Sequence, residues 1–123
     1  MQTALIIRII YALCLLGAGF NHLTTVIEHG LFWDYNNAPI FTRFFWTSLT
    51  FLDPLAAILL FFKPRLGLLL TFLIILVDVI HNSWILLSEG RDLFNYMFIS
   101  QFLFLIFVIF TIRIPWKVNS AQS

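Results

Sequence analysis

The sequence predicts an all-α integral membrane protein, an up-down four-helix bundle with both termini in the cytoplasm. Of its 123 residues, 61% are hydrophobic and only 11% are charged, and the mean hydropathy is +0.97. The apolar residues fall into four segments of about 20 residues, the length that crosses a bilayer. Short polar connections join the last three segments, and such connections place neighbouring helices antiparallel.

The four predicted helices belong to one domain, 1–123, and cover residues 3–27, 38–62, 66–88 and 93–112. Asn37 is expected to cap the second helix, with Pro39 in its first turn. The segment 63–65 (Lys-Pro-Arg) makes a tight connection to the third helix. The segment 89–92 (Glu-Gly-Arg-Asp) is a polar turn before the fourth. Gly and Pro at these places are typical of chain reversals.

The basic residues are divided unevenly between the two ends of the predicted helices. Five lie at one end and two at the other, namely Arg8, Lys63, Arg65, Arg113 and Lys117 against Arg43 and Arg91. Because Lys and Arg are enriched in cytoplasmic loops, both termini and the second connection are expected inside the cell. The expected location is a bacterial inner membrane.

Charge and cysteine content exclude several classes of function. The net charge of +1 gives no reason to expect a nucleic-acid partner. Cys14 is the only cysteine in the sequence, which excludes an internal disulfide and thiol-exchange chemistry. The small residues 17–19 resemble a signal-peptide cleavage site, but the apolar run continues beyond them, so we expect the first helix to be retained.

The third predicted helix carries a polar stripe. At 100° per residue one face collects Gly67, Thr71, Asp78, Asn82, Ile85 and Glu89, with His81 at its edge, and the opposite face collects Leu69, Leu73, Leu76, Ile80 and Leu87. An ionisable group that faces lipid at mid-bilayer costs several kcal/mol. The face that carries Asp78 is therefore expected to point toward the other helices.

Polar residues of the first three helices predict a pocket that opens outward. His22, Asp53, Asp78 and His81 would build it, and Asp53, Asp78 and His81 are the candidates for catalysis or proton transfer. The remaining expected ligand-binding residues are Asn21, Trp46, Asn82 and Gln101. The competing interpretation is structural, since buried amide, imidazole and carboxyl groups also hydrogen-bond helices together.

A metal site is not expected. Two His and two Asp are chemically adequate ligands, but the sequence contains neither HExxH nor the Glu-x-x-His pair of di-iron bundles. If a metal were bound, His22 and His81 would be the first candidates as ligands.

The sequence resembles the DoxX-like family of small four-helix membrane proteins over about residues 5–85. The likeness runs from "LIIRIIYALCLLGAGFNHL" to "LDPLAAILLFFKPRLGLLLTFLIILVDVIHNSW". It comprises Arg8 early in the first helix, small residues before Asn21-His22 and an acidic residue in the second helix, Asp53. A basic turn at 63–65 follows, and the long apolar third helix ends with a polar residue, His81. Family members often carry glutamate where Asp53 stands, and Pro54 and Asp78 depart from the family pattern.

The resemblance implies an accessory subunit of a membrane redox complex, linked in some members with quinones. On this interpretation the chain binds a small or lipidic ligand, with quinone as the cofactor, and its partners are the bilayer and other redox subunits; a homo-oligomer is left open. Two alternatives remain: a non-catalytic assembly or binding protein, and a sterol isomerase or sterol binder, because the chain also resembles, more faintly, the EXPERA-type four-helix proteins.

Overall fold

The structure, a computed structural model, describes residues 2–119 and is all-helical within them. The helices are α1 (Gln2–His29), α2 (Ile40–Phe62), α3 (Pro64–Ser88), α4 (Tyr96–Thr111) and the short α5 (Arg113–Val118). By length and composition α1, α2 and α3 can each cross a membrane. Large apolar side chains also cover their outer surfaces, as Leu13, Phe20 and Phe51 illustrate with about two thirds of each side chain exposed. These features indicate an integral membrane protein.

The start of α2 differs from the prediction. The helix begins at Ile40, Pro39 occupies the N-cap position, and no side chain caps the helix. Asn37 does not cap it, because Tyr35, Asn36 and Asn37 all have positive φ and form a left-handed turn. The side chain of Arg43 closes this turn by donating from Nε to the Ala38 carbonyl over 2.6 Å.

The fourth predicted helix is shorter than expected and is followed by a fifth. α4 begins at Tyr96 rather than at residue 93, because the Asn95 side chain caps it by accepting a 2.9 Å hydrogen bond from the Phe98 amide. Its 16 residues span about 24 Å, less than the hydrocarbon core of a bilayer. α5 starts directly beyond Ile112, and Pro115 in it cannot donate to the preceding turn.

α2 and α3 form a tight helical hairpin. Lys63 alone separates them, and Gly67 of α3 lies against the backbone of Leu59 and Leu60. A Cβ atom at Gly67 would stand 2.4 Å from the Leu60 nitrogen, so this contact requires glycine. α1 joins the same end, where Arg8 donates to the Leu60 carbonyl over 2.8 Å. A cation beside the last carbonyls of a helix is favourable.

α1 is tied to α4 through Tyr11. The ring is fully buried and makes edge-on contacts with Phe104 and Phe107, at centroid distances of 5.8 Å each. The hydroxyl lies 2.6 Å from Thr111 Oγ1. These contacts hold α1 against α4 near the hairpin end, whereas a cavity separates the same two helices farther along.

Replacing Tyr11 with phenylalanine is expected to destabilise the protein by about 0.6 kcal/mol, the average for a hydrogen bond between helices in lipid. The ring contacts remain, so the loss reports the hydroxyl alone. Unfolding in a denaturing detergent measures the change, and Thr111→Val is the matched partner. In the double variant the two losses should not add, because both substitutions remove the same bond. Fully additive losses would contradict the assignment.

The two faces of α3 are those that the 100° periodicity predicts. Thr71, Asp78 and His81 are buried, whereas Leu69, Leu73, Ile80 and Leu87 are each more than two fifths exposed. The polar stripe of α3 therefore lies against the other helices.

Candidate functional site

A cavity of about 340 Å³ lies between α1, α3 and α4, with one residue of α2 behind it. We call this cavity the crevice. Its lining is mostly apolar and includes Leu13, Cys14, Leu15, Gly17 and Ala18 of α1, Ile74 and Ile75 of α3, and Tyr96, Met97 and Phe104 of α4. Leu13, Met97 and Tyr96 are exposed at its sides, as are the polar Asn21 and Ser100. The crevice therefore opens to the protein surface mainly along apolar side chains.

Two carboxyl groups line this apolar crevice. Asp53 of α2 is 1% exposed and Asp78 of α3 is 5% exposed, and both lie near the middle of their helices. Asn21, Ser100 and Gln101 are the uncharged polar residues of the lining, and within residues 2–119 the lining contains no Lys, Arg or His. The crevice thus has the usual composition of a small-molecule site, apolar walls with a few convergent polar groups.

Asp53 has an unsatisfied oxygen. Its Oδ2 atom is buried, and among the described residues no donor lies within hydrogen-bond distance of it. The packing of α1 fixes this side chain, because Gly19 lies so close that a Cβ there would stand 3.3 Å from Asp53 Cβ and 3.2 Å from Pro54 Cδ. Buried polar atoms are nearly always paired, and within residues 2–119 Thr50 Oγ1 of the same helix and Arg8 Nε share this unpaired state with Asp53 Oδ2.

Asp78 belongs to a hydrogen-bond network of three helices. Asn82 Nδ2 donates to Asp78 Oδ1 over 3.2 Å and to Gln101 Oε1 over 2.9 Å. Asn82 Oδ1 accepts from Trp46 Nε1 over 2.9 Å. The four-residue spacing of Asp78 and Asn82 brings them together on α3, and Trp46 and Gln101 come from α2 and α4. This network places one oxygen of Asp78 in a defined position at the crevice.

A second cavity, of about 320 Å³, lies next to the first at the end of the helices where the segments 30–39 and 89–95 connect them. We call it the vestibule. Its polar lining residues are His22, Trp46, Asn82, Arg91, Asn95 and Gln101. The sequence predicts one common pocket for four residues, His22, Asp53, Asp78 and His81. The structure corrects this prediction, because the four residues do not line one cavity. The two acids share the crevice, whereas His22 lines the vestibule, because it lies near the loop end of α1.

His81 lines neither of these cavities. Its Nε2 lies 2.9 Å from Thr42 Oγ1, and aromatic rings surround it, with centroids 5.1 to 6.3 Å away, from Phe41, Phe45, Trp46 and Trp84. It is 7% exposed. The imidazole therefore joins α3 to α2, and the expectation that it shares a pocket with the acids is wrong. A threonine hydroxyl rather than a carboxylate is its partner.

The described residues 2–119 contain no group of three or more His, Cys, Asp or Glu side chains that could hold a metal ion. His22 and His81, the two candidates as metal ligands, lie in different surroundings, one at the vestibule and one among aromatic rings.

Sequence reasoning missed most of the crevice wall. Cys14, Gly17 and Ser100 all line it, yet none was expected at the site. No polar pattern marks them, because small and apolar residues at these positions are equally typical of helix packing in lipid. Thr42, the partner of His81, likewise lay outside the predicted pocket.

Comparison of the chain with protein-family models, with curated proteins and with solved structures finds no match.

Proposed function

We propose that this protein binds a small lipidic ligand in the crevice and exchanges protons with it through Asp53 and Asp78. The observation that carries the proposal is the pair of buried carboxyl residues, Asp53 and Asp78, in the lining of one mostly apolar cavity. The volume of 340 Å³ falls within the range of about 300–1,000 Å³ that is typical of ligand pockets.

A quinol is the ligand class that fits these groups best. Its ring suits the apolar walls, and its two hydroxyls are donors that carboxylate oxygens accept. Protonated carboxyl groups can in turn donate to the carbonyl oxygens of a quinone, so the same two acids accommodate both redox forms. An isoprenoid tail would leave through the open side between α1 and α4, where Leu13 and Tyr96 are exposed.

The proposed setting is a bacterial inner membrane with both termini inside. α4 would be the fourth span, continued by α5, and Arg8, Lys63 and Arg65 would lie on the cytoplasmic side. Supporting contacts bring these basic segments to one end, since Arg8 hydrogen-bonds Leu60 beside Lys63, and Arg65 donates to the Trp116 carbonyl over 3.2 Å. The DoxX-like resemblance adds the proposal that the chain is an accessory subunit, whose redox partner would exchange electrons with the bound quinol.

A non-catalytic assembly protein is the second candidate, and the satisfied polar groups favour it. Asn82, Trp46, Gln101 and the Thr42–His81 pair join α2, α3 and α4 without any ligand. On this interpretation the polar residues only hold the helices together. Asp53 distinguishes the two candidates, because its Oδ2 accepts no hydrogen bond from another helix within residues 2–119.

The native Cys14 offers a direct test of ligand binding. Its thiol is free and lies in the crevice lining. A short-chain quinol should protect it from N-ethylmaleimide in the purified protein. Asp53→Asn and Asp78→Asn should each weaken protection by about tenfold or more in quinol concentration, the usual effect of losing a hydrogen bond to a charged group.

Asp92→Asn is the matched control, since Asp92 lies in the loop before α4 and its side chain, within residues 2–119, accepts only from the nearby Phe94 amide. It should leave protection unchanged. Equal protection in the wild type and in the Asp53→Asn, Asp78→Asn double variant would contradict the proposal and favour the assembly role. Loss of protection in Asp92→Asn as well would point to a general change of the protein.

A further inference from the structure

Asn82 stands between the two cavities. The crevice and the vestibule share Met97 and Gln101 in their linings, so the cavities adjoin. Asp78 lines the crevice, and Asn82, one helical turn farther along α3, lines the vestibule. The hydrogen bond from Asn82 to Asp78 therefore crosses from one cavity to the other.

The Asn82 amide is held from three sides. Its oxygen accepts from Trp46, and its nitrogen donates to Asp78 and to Gln101. A carboxamide has one acceptor oxygen and two N–H donors, so each of its polar groups is used. These three hydrogen bonds hold the closed position, in which the side chain forms a partition between the cavities.

The mouths of the two cavities differ in chemistry. Arg91 lines the vestibule, is exposed, and pairs with Glu89 over 2.9 Å. Asn95 and the partly buried His22 line the same cavity. Charged and amide groups at the end of the helices suit water, whereas most exposed side chains of the crevice, such as Leu13 and Met97, are apolar, and Asn21 and Ser100 are its exposed polar residues. This contrast favours water at the vestibule and lipid at the crevice.

We propose that the vestibule is a proton port, a water-filled cavity through which Asp78 exchanges protons with the aqueous phase, and that the Asn82 amide is its movable partition. The inference rests on the proposed function, because a quinol in the crevice is the source or recipient of those protons. It assigns a second site to the chain, with water and the hydrated proton as its ligands.

The groups around the port support this assignment. Asp53 and Asp78 line the crevice, while His22 and Arg91 line the vestibule. The polar residue of α4 that lines both cavities is the uncharged Gln101. An amide is a poor proton carrier, so a proton passes only when the Asn82 side chain turns away. Water entering from the vestibule can then take over its bonds to Asp78 and Gln101.

The first test asks whether the vestibule contains water. In a Cys14→Ser background, the thiol introduced by Leu86→Cys lies in the vestibule lining. A charged methanethiosulfonate reagent should modify this thiol about tenfold faster than it modifies Cys14 of the otherwise unchanged protein. The charged reagent stays in water, so it reaches a thiol in an aqueous cavity more readily than a thiol in an apolar one. An apolar maleimide should reverse this order. Equal rates with the charged reagent would overturn the assignment of the vestibule as aqueous.

The second test asks whether Asn82 closes the port. A water-soluble carbodiimide should label Asp78 slowly in the wild type and roughly tenfold faster in Asn82→Ala, because this substitution removes the amide that separates Asp78 from the vestibule. Trp46→Phe keeps an aromatic ring but removes the donor to Asn82, so it should give a smaller increase. This variant keeps the test decisive if Asn82→Ala does not fold.

Ser83→Ala is the matched control, since Ser83 neighbours Asn82 but its hydroxyl, in the part of the chain that the structure describes, bonds only the Ile80 carbonyl of its own helix. Its labelling should equal that of the wild type. Unchanged labelling of Asp78 in both Asn82→Ala and Trp46→Phe would overturn the partition. No quinol is present in either test. The proton port can therefore be disproved while quinol protection of Cys14 is observed, and quinol protection can be absent while the port is supported.

Discussion

Gly67→Ala is expected to destabilise the protein by about 3 kcal/mol, at the upper end of the cost of overpacking. The added methyl group would stand 2.4 Å from the Leu60 nitrogen and 2.6 Å from the Leu59 carbonyl carbon. Backbone atoms cannot turn aside as a side chain does, and Lys63 alone connects the two helices. α2 and α3 must therefore move apart, and the buried packing of Leu60 and Leu68 is lost with them.

The fraction folded as a function of denaturing detergent measures this loss. Gly17→Ala is the matched control, because it is the same substitution within a helix, yet nothing lies within 4 Å of the added Cβ. It should be neutral or slightly stabilising, as alanine favours helix over glycine. Equal stability of Gly67→Ala and Gly17→Ala would contradict the close packing of the hairpin.

Gly17→Leu is expected to abolish measurable binding of a short-chain quinol while leaving the protein folded. Gly17 lines the crevice, and the open space at its Cβ position allows a larger side chain to enter without a clash. A leucine there would fill the volume that the ring of the ligand needs. Calorimetric titration of the purified protein measures the effect.

Gly17→Ala serves again as the control, since a single methyl group occupies little of the 340 Å³ and should leave binding near the wild-type level. The outcome that contradicts the crevice as the ligand site is full binding in Gly17→Leu. Because neither substitution touches a carboxyl group, this test of the cavity is independent of the test of Asp53 and Asp78.

The helices and their buried faces were largely predictable from the sequence. Apolar length indicates α1, α2 and α3, and the period of 3.6 residues separates the Asp78 face of α3 from the face that exposes Leu69 and Ile80. The ends of helices were less predictable, because they depend on local contacts. Asn95 caps α4, which the sequence did not indicate. Asn37 does not cap α2, because it belongs to the left-handed turn at 35–37.

The candidate site was predictable in its residues but not in its arrangement. A helical period shows that Asp53, Asp78 and His22 point inward, but the rotation and offset of neighbouring helices decide which of them meet. Those depend on close contacts such as Gly19 against Pro54, which a single sequence does not display. His81 was misplaced for the same reason, since its rings and Thr42 come from α2 and from its own helix.

The most direct test of the central claim is the quinone content of the protein purified from a quinone-containing membrane, measured by solvent extraction and chromatography. The wild type and the Asp53→Asn, Asp78→Asn double variant are compared at equal amounts of folded protein. We expect the wild type to retain quinone or quinol in proportion to the protein and the double variant to lose most of it. Equal quinone content in the two proteins, or none in either, would contradict a carboxyl-lined quinol site.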